Sequence, residues 1–156
     1  MKNPKRVKQG KRNRRSGADF ERRVRKDLEE KGWIVSRWQN NLDYPKENIN
    51  LPPDKRKDYK LIPAKQGRFR LTSTGFPDYL AYRLLVLKEW NVMNGIATNG
   101  YVYEIIGVEC KSNGYLDKQE KEKCKWLLKN NIFSRILVAY KRKDGKKVVV
   151  EYKEIK

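Results

Sequence analysis

The chain has 156 residues, of which 38 are Lys or Arg and 19 are Asp or Glu, giving a formal charge of +19, and it contains no histidine. Its length suits one domain with a single core. A hydrophobic fraction of 38%, with four Trp and nine Tyr, excludes a purely disordered polymer.

The missing histidine excludes a Ser-His-Asp triad, a His general base and a His-ligated zinc site. Any catalysis would rest on carboxylates, lysines and a hard metal ion. The twofold excess of basic residues attracts polyanions, so composition points to nucleic acid as the partner. No run of about 18 apolar residues is present, so no membrane span is expected. The basic N-terminus has no apolar segment behind it and does not read as a secretory signal. Cys110 and Cys124 stand singly. That pattern fits a reducing, cytoplasmic interior better than a disulfide framework or a zinc knuckle.

Residues 1–15, "MKNPKRVKQGKRNRR", hold eight basic residues and no acid, and are expected to form a disordered basic arm that contacts phosphates or serves as a solubilising or targeting tail. Residues 16–156 are expected to form one domain. It opens on a helix, "SGADFERRVRKDLEEKG", ending at Gly32. At about 100° per residue, Phe20, Val24 and Leu28 form one stripe, and Glu21 lies within about 20° of Leu28. The helix therefore carries a carboxylate beside its buried face. "WIVSRW" follows as a short strand.

From Gln39 to Thr74 periodicity is lost among prolines, asparagines and charges, and a long loop insertion is expected. Its later part, "KQGRFRLTSTG", sets Arg68 and Arg70 around Phe69, which suits phosphate and base contacts or a plain surface excursion. "DYLAYRLLVL" and "GYVYEIIGVEC" read as two strands, paired antiparallel across a turn-rich link. On the second, Tyr103, Ile105, Gly107, Glu109 and Lys111 share one face. "LDKQEKEKCKWLLKNN" reads as a helix with Asp117 and Glu120 as a capping box and Cys124, Leu127 and Leu128 inside. Two closing strands meet at an Asp144-Gly145 turn. This order predicts an α/β domain with a mixed central sheet flanked by helices.

Four residues stand out chemically. Glu21 lies beside a helix stripe, Asp78 heads one strand, and Glu109 with Lys111 ends the next. Phosphodiester cleavage needs a divalent ion held by carboxylates, a nucleophilic water and positive charge near the developing anion. Asp78 and Glu109 can hold Mg²⁺, with Mn²⁺ as a substitute, and the backbone carbonyl of Cys110 can add a third oxygen. Lys111, two residues along the same strand end, can activate water or stabilise the phosphate. Each also has a structural reading. Asp78 can simply start a strand, Glu109 and Lys111 can form an exposed ion pair worth about 0–1 kcal/mol, and Glu21 can favour a helix dipole.

With "FPD" at Phe76-Pro77-Asp78 and "ECK" at Glu109-Cys110-Lys111, the chain resembles the PD-(D/E)xK nuclease superfamily. "GADFERRVRKDLEEKGWIVSR" is similar to the opening helix of archaeal-type Holliday junction resolvases, where a helix glutamate joins the metal site. That makes Glu21 a candidate ligand. "STGFPDYLAY" and "VECKSNGYLDKQ" look closer to VRR-NUC-type and phage nucleases, in which a glutamine after the ExK strand assists. Here it would be Gln119, which periodicity does not select. The 39–74 loop is longer than in a minimal resolvase and the "VRR" tripeptide is absent, so the resemblance does not fix the DNA structure preferred.

The resemblance implies a restriction-endonuclease-like fold and a Mg²⁺-dependent DNA endonuclease of viral or archaeal origin, serving repair or recombination on branched or junction DNA. Alternatives are an RNA-directed nuclease and a non-catalytic nucleic-acid-binding protein on the same fold. Arg14, Arg15, Arg22, Arg23, Arg37, Arg68, Arg70 and Lys118 are expected to grip the phosphate backbone. A homodimer is the assembly that the resemblance suggests, although no sequence feature carries it.

Overall fold

A computed structural model describes residues 4–43, 51–52, 55, 58–64, 75–85, 102–145 and 147–155. Helix α1 (Pro4–Glu30) buries Phe20, Val24 and Leu28, the stripe its spacing predicts. Burying each such side chain contributes about 1.5–3 kcal/mol. The helix ends in a paired motif at Gly32, whose φ is 82°. Gly32 N–H donates to the Glu29 carbonyl and Trp33 N–H to that of Leu28. The left-handed backbone this requires is open to glycine without a Cβ clash.

Residues 4–15, expected to belong to a disordered basic arm, are helical and continuous with the rest of α1, which begins at Pro4. Lys, Arg and Gln propagate a helix well, and a proline at the first helical position removes no hydrogen bond. Growth from an anchored helix also avoids the cost of a separate nucleus. Nothing buries this segment: residues 5–9 and 11–18 are exposed. Its lack of an apolar stripe is why the pattern suggested disorder.

Five strands make one mixed sheet, in the order β1 (Ile34–Arg37), β4 (Tyr79–Leu85), β5 (Val102–Cys110), β6 (Arg135–Asp144), β7 (Lys147–Glu154). β4 pairs antiparallel with both β1 and β5. β6 is parallel to β5, reached through helix α2 (Lys118–Lys129), and β7 returns antiparallel with Asp144 opposite Lys147. The expected antiparallel pairing of β4 with β5 is present, while the residues linking them lie outside those described. A mixed α/β fold is therefore what the chain adopts.

The faces of the sheet are divided by strand periodicity. Ile106, Val108 and Ala139 pack with the α1 stripe, Val35, Tyr79 and Ala81. The alternate residues Ile136 and Val138 pack with Cys124 and Leu127 of α2, together with Phe76, Leu116 and Phe133. Helix α2 begins with the capping box read from the sequence: Asp117 Oδ1 accepts from Glu120 N–H at 2.8 Å, and Glu120 Oε2 accepts from Asp117 N–H at 2.9 Å. Among the described residues, no helix is long and apolar enough to cross a membrane.

The segment 39–74 is not wholly irregular. Within it β2 (Asn40–Asp43) and β3 (Lys60–Pro63) pair antiparallel as a separate two-stranded sheet, with Leu42 buried. Gly75 lies just beyond, pressed against the backbone that leaves β1. A Cβ there would stand 1.9 Å from the Trp38 carbonyl oxygen and 3.0 Å from that of Asn40. Backbone cannot rotate aside as a side chain can, so Gly75→Ala is expected to destabilise the fold by about 3 kcal/mol. Urea unfolding measures this, and an unchanged midpoint would show that the close approach is not required.

Candidate functional site

Asp78 immediately precedes β4, and Glu109 is the penultimate residue of β5. Because Tyr79 is paired with Val108, the register carries Asp78 to the position beside Glu109. The two carboxylates are cross-linked through backbone. Cys110 N–H donates to Asp78 Oδ2 at 2.9 Å, and Asp78 N–H donates to Glu109 Oε2 at 3.2 Å. Trp38 N–H donates to the Asp78 carbonyl at 3.1 Å, and Phe76 N–H to the Asn40 carbonyl at 2.9 Å. These bonds tie the "GFPD" turn to the strands on both sides.

Lys111 leaves β5 on the same side as Glu109. Its Nζ lies 3.2 Å from Glu109 Oε1 and is also bonded to Glu120 Oε1 of the capping box. These elements together border a cleft of about 390 Å³, whose lining includes Asp78, Glu109, Lys111, Asp117, Gln119, Glu120 and Lys123, with Asn41, Gly75 and Phe76. Four carboxylates (Asp78, Glu109, Asp117, Glu120) face two ammonium groups (Lys111, Lys123) there, a formal −2 inside a chain of +19.

Protonation follows from that crowding. Burial first, and the neighbouring Asp78 carboxylate second, push the Glu109 pKa up to about 8, against the opposing pull of Lys111. Burial likewise raises Asp78, with Glu21 adding to the rise and the Cys110 N–H bond opposing it. For Lys111, burial works against the charge, but the bonds to Glu120 and Glu109 outweigh it and hold the pKa up at about 12. Lys111 is therefore an ammonium ion at neutral pH, a donor and a positive charge rather than a base.

Glu21 lies outside the cleft lining. Its Oε2 is 2.9 Å from Arg37 Nη2, yet its charge is felt by both Asp78 and Cys110. Arg37 is thus committed to Glu21 and to the Tyr79 ring, 5.9 Å from its guanidinium carbon. Gln119, reached only through the resemblance, lines the cleft. Arg14, Arg15, Arg22 and Arg23 are exposed on α1, with Arg22 paired to Asp19, and Lys118 is exposed at the head of α2. Arg68 and Arg70 lie outside the described residues.

Sequence reasoning did not single out Lys123 or Glu120's bond to Lys111. Lys123 donates to Asn41 Oδ1 at 2.8 Å and lies 5.4 Å from the centre of the Phe76 ring, and burial lowers its pKa. The signal was available, since Glu120, Lys123 and Leu127 follow one another at helical spacing along the inner side of α2.

Among the described residues, no group of three or more Cys, Asp or Glu side chains is gathered to hold a metal ion. The two donors that do lie side by side, Asp78 and Glu109, are hard oxygens of the kind that could hold a divalent cation. The chain was compared with protein-family models, curated proteins and solved structures, and none of them matches it.

Proposed function

We propose that the protein is a Mg²⁺-dependent phosphodiester hydrolase acting as a DNA endonuclease on a restriction-endonuclease-like core. One observation carries the reading: an acidic cleft, with two carboxylates and a lysine delivered by adjacent strand ends, opens in a strongly basic protein. A bare acidic cleft repels a phosphate, and a divalent cation bound there reverses that repulsion. The mixed sheet, with an antiparallel pair followed by a helix and a parallel strand, supports the core that the sequence resemblance implies.

In this reading Asp78 and Glu109, with the Cys110 carbonyl, hold the ion. When bound, the ion supplies Lewis-acid polarisation of the phosphate and an acidified water. Lys111, fixed as an ammonium ion between Glu109 and Glu120, orients the attacking water and offsets charge growing on the scissile phosphate. Gln119 and Lys123 offer polar contacts from the helix side of the cleft, and Glu21 adds negative charge behind Asp78.

The test is digestion of branched, single-stranded and duplex DNA, with RNA in parallel, in Mg²⁺ or Mn²⁺ and in EDTA. Cleavage of DNA that EDTA abolishes is expected. Cleavage of RNA alone would replace DNA as the substrate. Salt-sensitive binding without any cleavage would leave a non-catalytic nucleic-acid-binding protein.

A further inference from the structure

We infer that a second groove, between the middle of α1 and the β6–β7 hairpin, is a binding site for the phosphodiester backbone of a nucleic-acid duplex. It has a volume of about 270 Å³, and its lining includes Arg12, Arg15, Asp19, Phe20, Arg23 and Lys141. At about 100° per residue the three arginines fall within a sector of about 80° on α1. Lys141 reaches the same groove from β6 and lies 5.1 Å from the centre of the Phe20 ring.

Among the described residues, none of these four cations makes an ion pair, and the one acid in the groove, Asp19, is taken by Arg22. Four positive charges thus share the groove with a single acid, which is itself paired with Arg22. Such a cluster is stabilised by anionic ligands that bring their own charges at regular spacing, as a nucleic-acid strand does. The groove is also distinct from the carboxylate cleft. Phe20, Val24 and Leu28 form the buried stripe of α1, with the arginine sector on one flank and Glu21 on the other. The inference does not depend on cleavage, because binding in this groove is measured without a metal.

The experiment is fluorescence anisotropy of labelled 20-base-pair DNA and RNA duplexes in EDTA over a range of KCl. The variant R12Q/R15Q/R23Q keeps helix-forming side chains, and circular dichroism checks the fold. It is expected to weaken binding about 30-fold and to flatten the salt dependence by about two to three in log–log slope. A charge-matched control on exposed lysines of α2, K121Q/K125Q/K129Q, is expected to weaken it less than about fivefold. Lys141→Gln alone is expected to weaken it about threefold, since it enters from a different element. Whichever duplex responds identifies the source of the backbone. Equal losses in the two triple variants, wild-type binding by the groove triple, or no effect of Lys141→Gln would overturn the assignment.

Discussion

Asp78→Asn is expected to reduce metal-dependent DNA cleavage by at least about a thousandfold while changing DNA affinity in EDTA by less than about threefold. The substitution keeps an oxygen that can accept from Cys110 N–H, so the strand-end geometry is preserved. It removes one of the two charged donors facing the cleft, and loss of a ligand that positions a Lewis acid is worth several kcal/mol in the transition state. In the proposed reading affinity is carried by arginines and lysines outside the cleft, so binding and chemistry should separate. Single-turnover cleavage beside anisotropy gives both numbers. A variant that cuts at the wild-type rate would remove Asp78 from the site.

The second large effect is on stability as a function of pH. Glu109 has an ordinary pKa of 4.5 and a folded value of about 8, so the folded chain keeps a proton that the unfolded chain has released. Its contribution to stability is present below pH 4.5 and is lost as pH rises through about 8. In EDTA the wild-type protein should therefore lose about 2–4 kcal/mol between pH 5 and pH 9 relative to Glu109→Gln, or roughly 5–15 °C in Tm. Asp78, also raised by burial, acts in the same direction. Added Mg²⁺ should recover the loss at pH 9 in the wild type, because it compensates the ionised pair, and should not do so in Glu109→Gln. Parallel pH dependences of Tm in the two proteins would mean that Glu109 ionises without penalty.

The meeting of Asp78, Glu109 and Lys111 is legible in the sequence because strand alternation is strict. Once "FPD" opens one strand and "ECK" closes its antiparallel neighbour, the register does the rest. The α1 stripe, its glycine terminus and the Asp117–Glu120 box are legible for the same reason, since each rests on spacing within one element. What spacing does not carry is the partner across space. Arg37 reads as a free cation for phosphate, yet Glu21, sixteen residues away, claims it. Lys123 reads as one more surface lysine, yet Asn41 and Phe76 from the far side of the chain enclose it. The helical residues 4–15 and the β2–β3 pair were hidden for the opposite reason: "NNLD", "KLIP" and the basic run hold too few apolar residues to mark a period.

Glu120 links two things that are usually independent. One of its oxygens closes the first turn of α2 and the other grips Lys111. The helix end and the lysine are therefore coupled through one carboxylate, although Glu109 also holds Lys111 and Asp117 also caps the helix. A ligand that draws Lys111 away from Glu120 removes one of the contacts that orient the capping carboxylate, and a contact that fixes that carboxylate helps to hold the lysine in return.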